Sequence, residues 1–173
     1  MTVHAMVDIE TLSTKNDAAV IAIGLVAFDH IHIMQGYEIL IDPQLAIGRR
    51  DQSTIDWWSK QDPAIRERMW SGKKDPWQAC HEFIEIQREI GAKMIWANAP
   101  QFDIVILRSL FEACELEFPY KFFNERDFRT VKGLAKKWGF SNPIEKKNAH
   151  SALDDAIYQA QCLQHFWSMT SEF

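Results

Sequence analysis

Val3-His4-Ala5-Met6-Val7-Asp8-Ile9-Glu10-Thr11-Leu12 begins as a short apolar run and ends on two carboxylates. Val3 to Ile9 is apolar and β-branched enough to predict a first strand. Side chains two apart in a strand share a face, so Asp8 and Glu10 project the same way from its end. Like charges this close raise each other's pKa unless a cation sits between them. A lone Asp-x-Glu also fits a solvated strand end, so the pair needs partners from elsewhere in the chain.

Outward from that strand, Ala19 to Phe28 (AVIAIGLVAF) is almost continuously apolar, the pattern of a central buried strand. Tyr37 to Ile41 predicts a third strand, stopped by Asp42-Pro43. Three strands in succession predict an antiparallel meander. Helices follow. Ser53-Thr54-Ile55-Asp56 opens a short one carrying Trp57 and Trp58. Asp62-Pro63 and Asp75-Pro76 each pair an N-cap acid with a first-turn proline, and the second helix runs to Ile90 before Gly91. Lys93 to Asn98 predicts a fourth strand, Phe102 to Glu115 a helix, and Tyr120 to Phe123 a short fifth strand. Thr130 to Trp138 is helical up to Gly139. Ser151 caps a last helix to Met169, with Asp154 at the position of a capping partner. This order predicts an α/β fold, a ribonuclease-H-like mixed five-stranded sheet flanked by helices. Without repeats or a linker, the chain reads as one domain over residues 1–173.

Composition narrows the function classes. With 47% apolar and 25% charged residues over 173, the balance is that of an ordinary globular domain. Cys80, Cys114 and Cys162 form no CxxC pair, which argues against a disulfide framework or zinc site and for a reducing cytosol. Neither a secretory leader nor an apolar run of membrane-spanning length is apparent. No GxSxG, P-loop or GxGxxG supports a serine hydrolase, nucleotide kinase or dinucleotide enzyme. The net charge is −5, yet Lys121 to Lys147 holds eight basic and three acidic residues. Such a stretch can track a phosphate backbone or simply be a solvated helix face.

The partners for Asp8 and Glu10 lie far along the chain. Asp103 follows the predicted fourth strand and starts an apolar helix, where its charge also suits the helix dipole. His150 precedes the N-cap of the last helix, and Asp155 falls on its first turn. Asp154 competes with Asp155, but its capping role already accounts for it. Four carboxylates can hold two hard cations about 3.5–4 Å apart, the clamp used for phosphoryl displacement. His150 could take a proton from an attacking water. The histidines at 4, 30, 32, 81 and 165 lack carboxylates at ligand spacing.

The ordered set Asp8/Glu10, Asp103, His150 and Asp155 resembles the DEDDh branch of the DnaQ-like 3′–5′ exonucleases. Ser53-Thr54-Ile55-Asp56-Trp57-Trp58 and Asn124-Glu125-Arg126-Asp127-Phe128-Arg129-Thr130 are similar to the phage DexA-like exodeoxyribonucleases and a related bacterial exoribonuclease group. The resemblance implies a metal-dependent enzyme that releases 5′-mononucleotides from a 3′ end. Asp8, Glu10, Asp103 and Asp155 would hold two Mg²⁺ or Mn²⁺ ions, with His150 as general base. Single-stranded DNA is the substrate it implies first, with RNA as the alternative. It further implies that Thr11 and Leu12 hold the terminal nucleotide, Leu12 as an apolar wedge, where a core leucine at the strand end is the equal alternative, and that the chain forms a homodimer in a bacterial or phage-infected cytoplasm. Arg126 and Arg129 are candidates for substrate phosphates, with ion pairs to Glu125 or Asp127 as the plainer reading. Competing readings are a non-catalytic nucleic-acid-binding module and an endonuclease of ribonuclease-H type.

Overall fold

The computed structural model describes residues 2–142, 144–146 and 150–170. Strands β1 (His4–Thr11), β2 (Val20–Phe28) and β3 (Ile33–Leu40) form the antiparallel meander. Helices α1 (Gln52–Trp58), α2 (Pro63–Met69) and α3 (Pro76–Ile90) follow, then β4 (Met94–Ala97), α4 (Asp103–Ala113), β5 (Glu125–Asp127), α5 (Phe128–Lys137) and α6 (Ala152–Thr170). The sheet order is β3-β2-β1-β4-β5, with β4 and β5 parallel to β1. Among the described residues, no helix is long and apolar enough to cross a membrane.

Local signals account for most helix boundaries. Asp62 accepts from the Ala64 N–H, and Asp75 forms a full capping box with Gln78 ahead of Pro76. Helix α3 stops at Gly91, whose φ of 64° is left-handed and favours glycine. The fifth strand corrects the sequence expectation. Phe122–Asn124 is a 3-10 turn, and the strand is Glu125–Asp127, paired with β4 on one side. Three charged residues at a sheet edge carry no apolar alternation, so their pairing comes from the backbone alone.

Pleat parity sorts β1 between two cores. Ala5, Val7 and Ile9 face the larger core with Phe83, Leu107 and Phe111 from α3 and α4. Met6 faces the other, with Val26, Phe28 and Ala156, Ala160 and Leu163 of α6. Asp8 and Glu10 share the parity of Met6 and therefore meet the side of the sheet that α6 covers. Asp8 pairs with Gly24 of β2. A Cβ on Gly24 would lie 2.1 Å from the Ala152 carbonyl carbon, so the first turn of α6 sits flush on the strand only because no side chain intervenes.

Gly24→Ala should therefore lower the melting temperature by the equivalent of roughly 2–3 kcal/mol, since the clash is with backbone and no rotamer relieves it. Gly133→Ala, on α5 with open space around the added methyl, should be neutral or stabilising by up to about 1 kcal/mol. Thermal melts of the two variants check the opposite signs.

Candidate active site

Three of the predicted acids converge. Ligand oxygens of Asp8, Glu10 and Asp155 all lie within 4.8 Å of one another. Asp8 and Glu10 come from one face of β1, and a bulge directly after Glu10 shifts the strand register there. Asp155 enters from the first turn of α6, where its N–H is taken by the Ser151 carbonyl. Asp154 is outside this set; its N–H lies 3.5 Å from Ser151 Oγ, the contact anticipated for a cap.

Asp103 adjoins the set. It stands at the first position of α4, 4% exposed, and its carboxylate accepts the Ala99 N–H at 3.3 Å and the Ile9 N–H. The second bond is available because the β1–β4 ladder ends at Val7 and Ala97. Asp103 thus ties the end of β1 to the start of α4 while its charge acts on Asp8 and Glu10.

Burial and like charge govern the electrostatics of these acids. Burial, then the charges of Asp103, Glu10 and Asp155, push the Asp8 carboxyl well above the usual range. Glu10 is raised to about 8, first by burial and then by Asp155, with Lys146 opposing. Burial raises Asp103, partly offset by its backbone hydrogen bonds and by Arg129. Gln159, one turn beyond Asp155, donates to Asp8 Oδ1 at 2.7 Å. Lys146 Nζ lies 2.8 Å from Asp155 Oδ1, an ion pair without hydrogen-bond alignment. Gln159, Lys146 and Gly24 were not anticipated from sequence. Gln159 is readable in retrospect as the i+4 neighbour of Asp155, and Gly24 as a glycine inside a buried strand. Nothing in the spacing marks Lys146.

The donor set fits a hard divalent cation. It is all oxygen, rich in negative charge, and already draws an ammonium group to Asp155. Asp8, Glu10 and Asp155 are the direct ligands this geometry offers, with Asp103 beside them.

A cleft of about 380 Å³ opens beside Glu10, walled by Thr11, Ser53, Thr54, Trp57, Trp58 and Phe102. Trp58 is buried and its indole N–H donates to the Thr11 carbonyl at 2.9 Å, which anchors α1 to the end of β1. Its neighbour Trp57 is 40% exposed and meets the His150 ring edge-on, with centroids 4.7 Å apart and planes at 90°. His150 has a φ of 66°, a left-handed conformation uncommon for histidine, on the residue just before Ser151. The residues before it, 147–149, lie outside the described part of the chain.

The substrate-contact expectations fare unevenly. Leu12 is 2% exposed and packs in the larger core, the second of the two readings considered for it: the chain turns at the bulge and carries Leu12 inward. Thr11 lines the cleft, though its hydroxyl donates to the Ser13 carbonyl at 2.6 Å. Arg126 and Arg129 line a different cleft, beyond Asp103. Neither makes the ion pair considered for it: Glu125 pairs with Arg108, and Asp127 caps α5 through the Arg129 N–H and the Thr130 hydroxyl.

A carboxyl group whose folded pKa is raised holds its proton more tightly folded than unfolded. The stability this contributes is complete below the unfolded value and is lost as pH rises through the folded one. For Glu10 that window runs from 4.5 to about 8. The metal-free protein should therefore melt progressively lower between these pH values. Millimolar Mn²⁺ should restore the melting temperature at pH 8 and have little effect near pH 5, where protons compete for the ligands. Scanning fluorimetry across pH, with and without Mn²⁺, checks both.

Comparison with known proteins places the chain in a lineage. The family model described as the 3′–5′ exoribonuclease Rv2179c-like domain matches residues 3–167. An exodeoxyribonuclease of Enterobacteria phage T4 is 27% identical over 157 residues, covering 72% of this chain and 68% of its own. Among solved structures, the nuclease domain of 3′hExo, a DEDDh family member bound to rAMP, superposes with a TM-score of 0.68 at 13% identity, covering 96% of this chain and 92% of that one. The zinc-bound complex of Escherichia coli ExoI with single-stranded DNA gives a TM-score of 0.74 at 12% identity, covering 95% of this chain and 40% of that one. Cell-death related nuclease 4 gives 0.68 at 15%, and this chain spans 64% of its length. The sheet order and flanking helices are those of the ribonuclease-H-like exonuclease fold. The chain belongs to the 3′–5′ exoribonuclease Rv2179c-like domain family, a family of 3′–5′ exonucleases.

Proposed function

We propose that the chain hydrolyses single-stranded nucleic acid from its 3′ end to 5′-mononucleotides, with Asp8, Glu10, Asp103 and Asp155 holding two Mg²⁺ or Mn²⁺ ions and His150 as general base. The observation that carries this reading is the convergence of three carboxylates within 4.8 Å in a largely buried site. When bound, the ions acidify a water and neutralise charge on the phosphoryl oxygens.

The chain's own residues supply the rest. The cleft beside Glu10 suits one terminal nucleoside: Trp57 and Phe102 offer aromatic surface, and Ser53 and Thr54 offer hydroxyls. His150 stands against Trp57 at that cleft and takes the proton of the attacking water on a ring nitrogen. Gln159 fixes one oxygen of Asp8 and so limits how that carboxylate turns. Lys146 balances Asp155 before the metal enters.

RNA 3′ ends are the substrate that the family description supports. The phage relative, named an exodeoxyribonuclease, supports single-stranded DNA as the second reading. A ribose-reading residue would act through the 2′-hydroxyl, so matched RNA and DNA oligomers of one sequence separate the two.

Asp8→Asn and Asp155→Asn should lose metal-dependent mononucleotide release. Each should also melt higher than the metal-free parent at pH 8, because repulsion is relieved. His150→Ala should lower kcat by about 10²–10⁴-fold while the Mn²⁺-induced melting shift persists. Normal turnover in any of these variants defeats the assignment of that residue. A circular single strand should resist cleavage, and its hydrolysis would instead indicate an endonuclease.

A further inference from the structure

A second cleft, of about 460 Å³, opens where β4 and β5 end, beyond Asp103 from the Glu10 cleft. Ala99, Pro100 and Gln101 form one wall; Phe122, Arg126 and Arg129 form the other. Its inner end reaches the carboxylates, since the Ala99 N–H bonds Asp103 and the Arg129 charge acts on it. At its outer end stand Phe122 and Phe123, 77% and 61% exposed, with ring centroids 5.3 Å apart at 79°.

Two features say what such a surface takes. Glu125 is paired with Arg108, which leaves Arg126 and Arg129 against the single carboxylate of Asp127, itself turned to the α5 cap, so the lining keeps a net positive charge. Arg126 donates to the Phe123 and Glu125 carbonyls, both at 2.8 Å, which holds its guanidinium beneath the phenylalanine turn with further N–H donors to spare. Exposed aromatic faces next to fixed cations form the arrangement on which bases stack while phosphates are neutralised.

We propose that this cleft carries the single strand on the 5′ side of the scissile bond, with Phe122 and Phe123 as the stacking platform and Arg126 and Arg129 on its phosphates. The proposal rests on the exonuclease reading. With the terminal nucleoside beside Glu10, the rest of the strand must leave the carboxylates another way, and the charged, aromatic-edged path lies past Asp103. A second copy of this chain is the competing occupant. A cleft whose cations lead to the carboxylates gives a uniformly apolar partner less to bind than it gives a polyanion.

The test uses the intact protein and a labelled twelve-nucleotide single strand. The double variant Phe122→Ala/Phe123→Ala should weaken strand binding, read by fluorescence anisotropy, about tenfold or more. Its KM defect should be larger on twelve nucleotides than on two. Arg129→Gln should reduce the slope of log affinity against log salt by about 0.7. Trp77→Ala, an exposed aromatic on α3, serves as control and should change neither reading. Anisotropy separates the two claims. Strand binding that depends on the phenylalanines without any turnover would sink the exonuclease reading and keep the surface. Turnover with binding indifferent to them would do the reverse. Conversion of a dimer to a monomer by the double variant, with strand affinity intact, would assign the face to a second copy and overturn the proposal.

Discussion

Mutual repulsion among buried carboxylates is the constraint around which this molecule is arranged. Asp8, Glu10 and Asp155 are held within 4.8 Å, and burial deprives them of the water that would screen them. None of the three could stay there on side-chain preference alone. Backbone geometry holds them. Pleat parity aims Asp8 and Glu10 to one side, the bulge after Glu10 ends that alternation, and bare Gly24 lets α6 approach closely enough to bring in Asp155. Hydrophobic cores on both faces of the sheet hold the fold against that repulsion.

Much of this was legible in sequence because its determinants are local. The Asp8-x-Glu10 spacing needs only a strand period, and the Asp-Pro signals at 62–63 and 75–76 need only helix-end chemistry. The choice of Asp155 over Asp154 rested on one capping argument, and the cluster contains Asp155. Readings failed where tertiary pairing decided. Tyr120 to Phe123 has the apolar look of a strand, yet the strand lies five residues further on, in Glu125–Asp127, whose charged side chains give no pattern. For Leu12, where wedge and core were both open, the bulge decides by turning its side chain into the core. Gly24 and Gln159 act on the site from 16 and 151 residues away from Asp8, distances no local rule spans.

The tryptophan pair shows how neighbours on a short helix divide labour. Side chains one apart on a helix point about 100° apart, so a helix lying on a core buries one and exposes the next. Trp58 is the buried member, and its indole hydrogen bond grips the carbonyl of Thr11, one residue past Glu10. The Ser13 hydroxyl on Asp51 and the Asp51 N–H on the Leu12 carbonyl reinforce the same seam. Trp57 is thereby fixed in register with the end of β1, and it is the ring that His150 touches. A histidine on a loop thus gains a defined resting place from a helix that is itself indexed to a carboxylate-bearing strand.

Asp103 differs from its companions in a way that orders the site. It receives backbone N–H groups from Ala99 and Ile9, whereas among the described residues the close trio is served by the Gln159 amide and Lys146. Its position is therefore set by the fold whether or not a cation is present. The other three are held near one another, where burial and like charge raise Asp8 and Glu10. Because the Asp103 bonds join the end of β1 to the start of α4, they also divide the surface into two clefts, one beside Glu10 and one beside Arg129. On the reading proposed above, a strand whose reacting phosphate meets the trio lies across Asp103, its last nucleoside on one side and the rest of its chain on the other. On that reading the last nucleoside of a strand meets a wall made of Trp57, Trp58 and the anchored α1.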